Sequence, residues 1–93
     1  MTEQELEINW KERGYSFDVG DIKVGDGVDR AVHDNKDELV VIVSGELEVT
    51  IDTNTFHPEL GQEIFIPAKA THSLKNIGLV DSKIYYGYKS IDT

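Results

Sequence analysis

The hydrophobic pattern of this chain changes period at Gly14. Before it, apolar side chains are sparse, and Leu6 and Trp10 stand four residues apart, the spacing that places two side chains on one face of a helix. Thr2 followed three residues later by Glu5 fits a capping box, and acids in the first turn suit the positive end of a helix dipole. The pattern predicts a short helix or turn over residues 3–13. Trp10 is expected to anchor it by packing against the main body.

Beyond Gly14 the apolar positions alternate in short pieces. "YSFDVGDIKVGDGVDRAVH" is broken by Gly20, Gly25 and Gly27, which predicts strands joined by tight turns. "ELVVIVSG" is a dense β-branched run ended by Gly45, and "ELEVTID" alternates so that Leu47, Val49 and Ile51 share a face. These two runs, linked through Ser44 and Gly45, are expected to pair as a hairpin. "DTN" predicts the next turn, and "EIFIP", "HSLKNIG" and "SKIYYGYKS" the remaining strands. Many short strands with frequent turn signals predict an all-β sandwich or barrel in one unit.

Composition narrows the chemistry. Ninety-three residues suit one small domain, which buries a limited fraction of its surface and often pairs with a second copy. The absence of cysteine removes disulfides, thiolate metal sites and cysteine nucleophiles. A net charge of −9, from eighteen acids against nine bases, opposes binding to nucleic acid or anionic membranes. The acidic N-terminus does not match a signal peptide, and no apolar run nears the ~20 residues of a membrane helix. A cytoplasmic location is the expectation. Neither Gly27, followed by Asp and Val, nor the acids of "GDIKVGDGVD" match a phosphate loop or an EF-hand.

Three side chains carry candidate chemistry. Glu38 shares its strand parity with Val40 and Ile42, while Leu39, Val41 and Val43 occupy the other face. If the Val40 face points into a barrel, Glu38 does too, and a carboxylate buried there needs a cation or donors. His33 ends the preceding strand, and His72, five residues after Pro67, begins a later one. Two imidazoles and a carboxylate converging inside a small barrel form a set used by non-haem iron and some zinc sites. The alternative is an internal hydrogen-bonded cluster. His57 is expected to be an exposed turn residue. Asp34 and Asp37 are candidates for orienting His33 as hydrogen-bond acceptors.

At these residues the chain resembles the cupins. Their first motif (glycine, five residues, His-x-His, three or four residues, glutamate, six residues, glycine) falls on Gly25, Ala31, His33, Glu38 and Gly45. The second (glycine, five residues, proline, x, glycine, two residues, histidine, three residues, asparagine) falls on Gly61, Pro67, Lys69, His72 and Asn76. The resemblance implies a cupin jelly-roll β-barrel with a short N-terminal helix: one domain over 1–93, helical over 1–14 and barrel over 15–89. It makes His33, Glu38 and His72 the ligands of a first-row divalent ion, with zinc, iron, nickel and manganese all compatible. Two positions depart from the pattern. Ala31 replaces the first histidine and cannot coordinate, so water, substrate or Asp29 is expected to take its place. Lys69 replaces a glycine, which is expected to alter only the turn.

The pocket is expected to be lined by Ala31, Val40, Ile42 and Phe65, with Tyr86 and Tyr88 sharing a face at its mouth. Cupins include oxygenases, isomerases, decarboxylases and non-enzymatic sensors, so the fold does not select an activity. The expected function is a homodimeric cupin that holds an ion and acts on a small organic molecule. The alternatives are a non-catalytic sensor or a metal-free structural dimer.

Overall fold

A computed structural model of the chain describes residues 1–91; the last two residues of the expected domain lie outside the described residues. Helix α1 spans Glu3–Glu12. At its start Thr2 Oγ1 accepts from the Glu5 amide at 3.1 Å and Glu5 Oε1 accepts from the Thr2 amide at 3.0 Å, so the predicted capping box forms. Eight strands follow: β1 (Asp18–Ile22), β2 (Gly27–Val32), β3 (Lys36–Ser44), β4 (Leu47–Ile51), β5 (Asn54–Phe56), β6 (Glu63–Ile66), β7 (Thr71–Asn76) and β8 (Ser82–Ser90). They form two antiparallel four-stranded sheets, ordered β1-β8-β3-β6 and β2-β7-β4-β5. The architecture is the jelly roll.

The inner faces supply the core. Val40 and Ile42 of β3, Ile64 and Ile66 of β6 and Ile84 of β8 meet Leu47 and Val49 of β4 and Leu74 of β7. Each such side chain contributes roughly 1.5–3 kcal/mol on leaving water. A second cluster lies on the outer face of the first sheet, where Trp10 covers Leu39 and Val41. The parity of β3 therefore divides as its alternation predicts. Trp10 is fully buried, and its Nε1 donates to Glu63 Oε1 at 3.1 Å. Arg13 grips the same carboxylate through two bonds of 2.9 Å, closing the helix onto β6.

The expected hairpin between "ELVVIVSG" and "ELEVTID" does not form. β3 pairs with β6 and β8, whereas β4 pairs with β5 and β7. Gly45 explains the difference: its φ is +86°, and a Cβ there would lie 2.2 Å from Ser82 Oγ. That close approach lets the chain cross from one sheet to the other within two residues. The "DTN" turn does form, joining β4 to β5. Of the three glycines expected in turns, only Gly25 occupies one; Gly20 and Gly27 lie within β1 and β2. A Cβ at Gly27 would meet the Leu74 carbonyl oxygen at 2.1 Å, so this glycine admits a neighbouring strand.

Candidate metal centre

Each of the three candidate side chains reaches the inner face by a different local device. For Glu38 it is simple alternation, since β3 places it two residues from Val40. For β2 it is a bulge. Val28 pairs with Leu74 and Ala31 with His72, so Asp29 and Arg30 together oppose Ser73 alone. Arg30 has φ +52°, and its amide donates to Ser73 Oγ at 2.9 Å. The bulge shifts the parity of the strand and so corrects the expectation for Asp29. Its carboxylate accepts from Ser73 Oγ at 3.5 Å on the outside, away from the cluster. Ala31 lies directly across from His72 and presents only a methyl group there.

His72 depends on the loop that precedes it. The His33 carbonyl accepts from the Lys69 amide and Asp37 Oδ1 accepts from the Ala68 amide, both at 2.8 Å. The segment before Glu38 thus clamps the segment before His72. Asp37 is engaged with this loop rather than with the His33 ring. Lys69 adopts φ +71°, the left-handed backbone that the family's glycine adopts without strain.

The three side chains converge. Glu38 Oε1 lies 3.4 Å from His72 Nε2 and 3.5 Å from His33 Nε2, and one ligand atom from each lies within 4.8 Å of the others. First-row ions hold such donors at about 2.0–2.2 Å, which separates neighbouring donors by about 3.0–3.5 Å. Glu38 and His72 are buried, whereas the His33 side chain is 33% exposed. Tyr88, directly across from Glu38, sets its ring edge-on to His33 at 5.0 Å and to Tyr86 at 6.1 Å.

The electrostatics leave this cluster unbalanced. Burial pushes the Glu38 carboxyl up to about 7, opposed only by the Tyr88 hydroxyl. Burial, then His33, holds the His72 imidazole below its ordinary value. Tyr88 rises to about 12, through burial and then the Glu38 charge. Carboxyl and imidazole are both driven toward their neutral forms, opposite to what a self-sufficient ion pair requires. Nor do they form a hydrogen-bonded cluster: Glu38 Oε1 and His72 Nδ1 are buried without a partner among the described residues. Such orphaned groups cost roughly 1–3 kcal/mol each. A divalent cation facing Glu38 Oε1 would relieve the carboxylate directly, so the donor set fits a metal ion.

The surrounding expectations divide. Val40 and Ile42 belong to the inner cluster, with Tyr86 packed against it. Phe65 does not. It pairs with Leu39 on the outer face and is 51% exposed, because β6 turns Ile64 and Ile66 inward instead. His57 is exposed, with its Nε2 3.2 Å from Glu48 Oε2. Sequence reasoning missed the role of Asn76. Its amide donates to the Ile22 and Val80 carbonyls, each at 2.9 Å, and its oxygen accepts from the Gly78 amide at 2.9 Å. It is a satisfied structural clasp. A cleft of about 530 Å³ lies between α1 and the outer side of the first sheet, away from the three donors.

Known proteins share this fold. The family model described as "Cupin domain" matches residues 19–86, from β1 to the middle of β8. The chain belongs to the cupins. This cupin is 34% identical over 73 residues to mannose-1-phosphate guanylyltransferase of Escherichia coli (strain K12), a match covering 70% of this chain but 15% of that protein. It therefore spans a small part of that relative's length. Among solved structures it superimposes on the cupin domain of Schizosaccharomyces pombe Cnp3 with a TM-score of 0.77 at 23% identity, covering 85% of this chain and 58% of that one. A recombinant oxalate oxidase in complex with glycolate gives 0.74 at 20% identity, covering 86% of this chain and 44% of the other. At these identities the likeness is one of fold. The cupin also contains, among the described residues, no helix long and apolar enough to cross a membrane.

Proposed function

We propose that this cupin holds one first-row divalent ion through His33 Nε2, Glu38 and His72 Nε2, and receives a small organic molecule at the ion's remaining positions. The observation that carries the reading is the buried, partnerless Glu38 Oε1 within 3.5 Å of two imidazole nitrogens. When bound, such an ion supplies Lewis acidity toward a coordinated oxygen or lowers the pKa of a bound water. The chain's own residues do the rest. Ala31 sets only a methyl group across from His72, Tyr88 lies edge-on to His33 and to Tyr86, and Val40, Ile42 and Leu74 form the aliphatic layer of the core. Of the three donors His33 is the most exposed, so a ligand approaches from its side. The oxalate oxidase of similar fold was solved with glycolate, a small organic molecule.

Elemental analysis of the purified protein tests this reading. About one equivalent of a divalent metal is expected in the wild type and less than a tenth of that in His72→Ala or Glu38→Gln, each folded by circular dichroism. A metal-free wild type that stays empty when offered zinc, iron(II), nickel and manganese contradicts it. The second reading is capture of the small molecule without turnover. It is favoured by the aliphatic character of the core cluster that Val40, Ile42 and Leu74 form on the same inner face as Glu38 and His72. Recovery of a stabilising ligand chemically unchanged after prolonged incubation distinguishes it from catalysis.

A further inference from the structure

The geometry points to Lys36 as the residue that selects a small carboxylate anion for this site, an inference resting on the metal reading above. Lys36 opens β3 two residues before Glu38 and pairs with Ser90, just as Glu38 pairs with Tyr88. Strand parity therefore turns it toward the inner side, at the rim. Its Nζ stands over the Tyr88 ring, 5.8 Å from the centroid, and that ring meets His33 at 5.0 Å. Ammonium, aromatic wall and the exposed imidazole thus form one continuous edge of the opening.

Among the described residues, no other Lys or Arg within a strand shares that side. Lys75 pairs with Gly27, Lys83 with Asp21 and Lys89 with Asp37, all at positions of the opposite parity, and Arg30 sits in the outward bulge. Among the described strand residues, Lys36 is the one Lys or Arg with inward parity. The position matters because the chain carries a net charge of −9, whose field repels anions over most of the surface. Asp18, which pairs with Tyr86, adds a carboxylate to the same rim on edge strand β1. Counting the divalent ion, Glu38, Lys36 and Asp18, the opening carries one net positive charge. A monoanion of a few heavy atoms neutralises it, with its oxygens divided between the ion and the ammonium. Without Lys36 the count falls to zero, which weakens the preference for an anion over its neutral isostere.

The test uses the full chain loaded with cobalt(II), whose visible spectrum reports a change of ligand. Glycolate and its neutral isostere glycolamide are titrated into the wild type, Lys36→Met and Lys36→Arg. The wild type is expected to prefer glycolate, and Lys36→Met to bind it about fivefold more weakly, as loss of a partly exposed charge pair implies. Lys36→Arg should restore most of that loss. Cobalt affinity should stay within about twofold across all three proteins, which separates selection of the anion from retention of the ion. Equal glycolate affinity in the wild type and Lys36→Met overturns the inference while leaving the metal reading intact, as does glycolamide binding as tightly as glycolate. A parallel loss of cobalt in Lys36→Met also overturns it. Failure of the wild type to take up cobalt removes the metal reading and this inference together.

Discussion

At the scale of single residues, the decisive feature is a carboxyl group placed where its charged form is unwelcome. Glu38 was legible in the sequence because one parity rule set it beside Val40 and Ile42, both of which are buried in the core. His33 and His72 were legible through the family spacing. The position of Asp29 was not, because a single bulge residue, Arg30 at φ +52°, reverses parity without any glycine to announce it. The Glu38 carboxyl makes a prediction about stability. Its pKa is raised to about 7 in the folded metal-free protein, above the usual carboxyl value of 4.5. The folded state therefore binds this proton more tightly than the unfolded state does. Stability from this group is greatest below about 4.5, falls as pH rises toward 7 and stays low above it. Metal-free Glu38→Gln should accordingly melt above the metal-free wild type at pH 8, by an amount on the order of 3 kcal/mol at most. That advantage should shrink as pH falls through 7. Thermal melts of the two chelator-treated proteins across this range check it; a constant difference at all pH values contradicts the assignment.

At the scale of elements, α1 acts as a clip rather than as part of the barrel. Its sequence announced both ends of that role, the Thr2–Glu5 box and the lone Trp10, since a large apolar residue in a polar helix has to be covered by something. What the local pattern did not contain was the opposing surface: Gly87, whose added Cβ would lie 3.2 Å from the Trp10 ring and 1.9 Å from the Ser16 carbonyl oxygen. Only this bare backbone lets the indole and residues 15–17 lie flat on β8. Trp10→Ala should cost about 3–5 kcal/mol, the range for emptying a buried aromatic site, and should release the Glu63 carboxylate from one of its donors. Urea denaturation followed by Tyr fluorescence measures this. A loss under about 1 kcal/mol would mean that the helix packs less tightly than the structure describes. The missed hairpin belongs to this scale as well. A two-residue link between two strands reads as a turn, and only the contact of Gly45 with Ser82, thirty-seven residues later, shows that it crosses between sheets.

At the scale of the whole molecule, the fold was legible and the strand order was not. Alternation yields strands and faces, and the spaced motifs named the jelly roll, but neither specifies that β3 ladders with β8 while β4 ladders with β7. Those pairings are contacts between distant segments, and they bring the three donors together from the ends of β2, β3 and β7. The acidic surface and the donor cluster also become one subject here. An excess of carboxylates would favour a cation anywhere on the surface, whereas the proposed ion has one buried carboxylate, Glu38, to hold it. Anomalous diffraction from a crystal of the metal-loaded protein, collected at the absorption edge of the ion supplied, tests this most directly. One strong peak is expected between His33 Nε2, Glu38 Oε1 and His72 Nε2. A loaded crystal with no peak there, or with its main peak beside the exposed His57–Glu48 pair, contradicts the account.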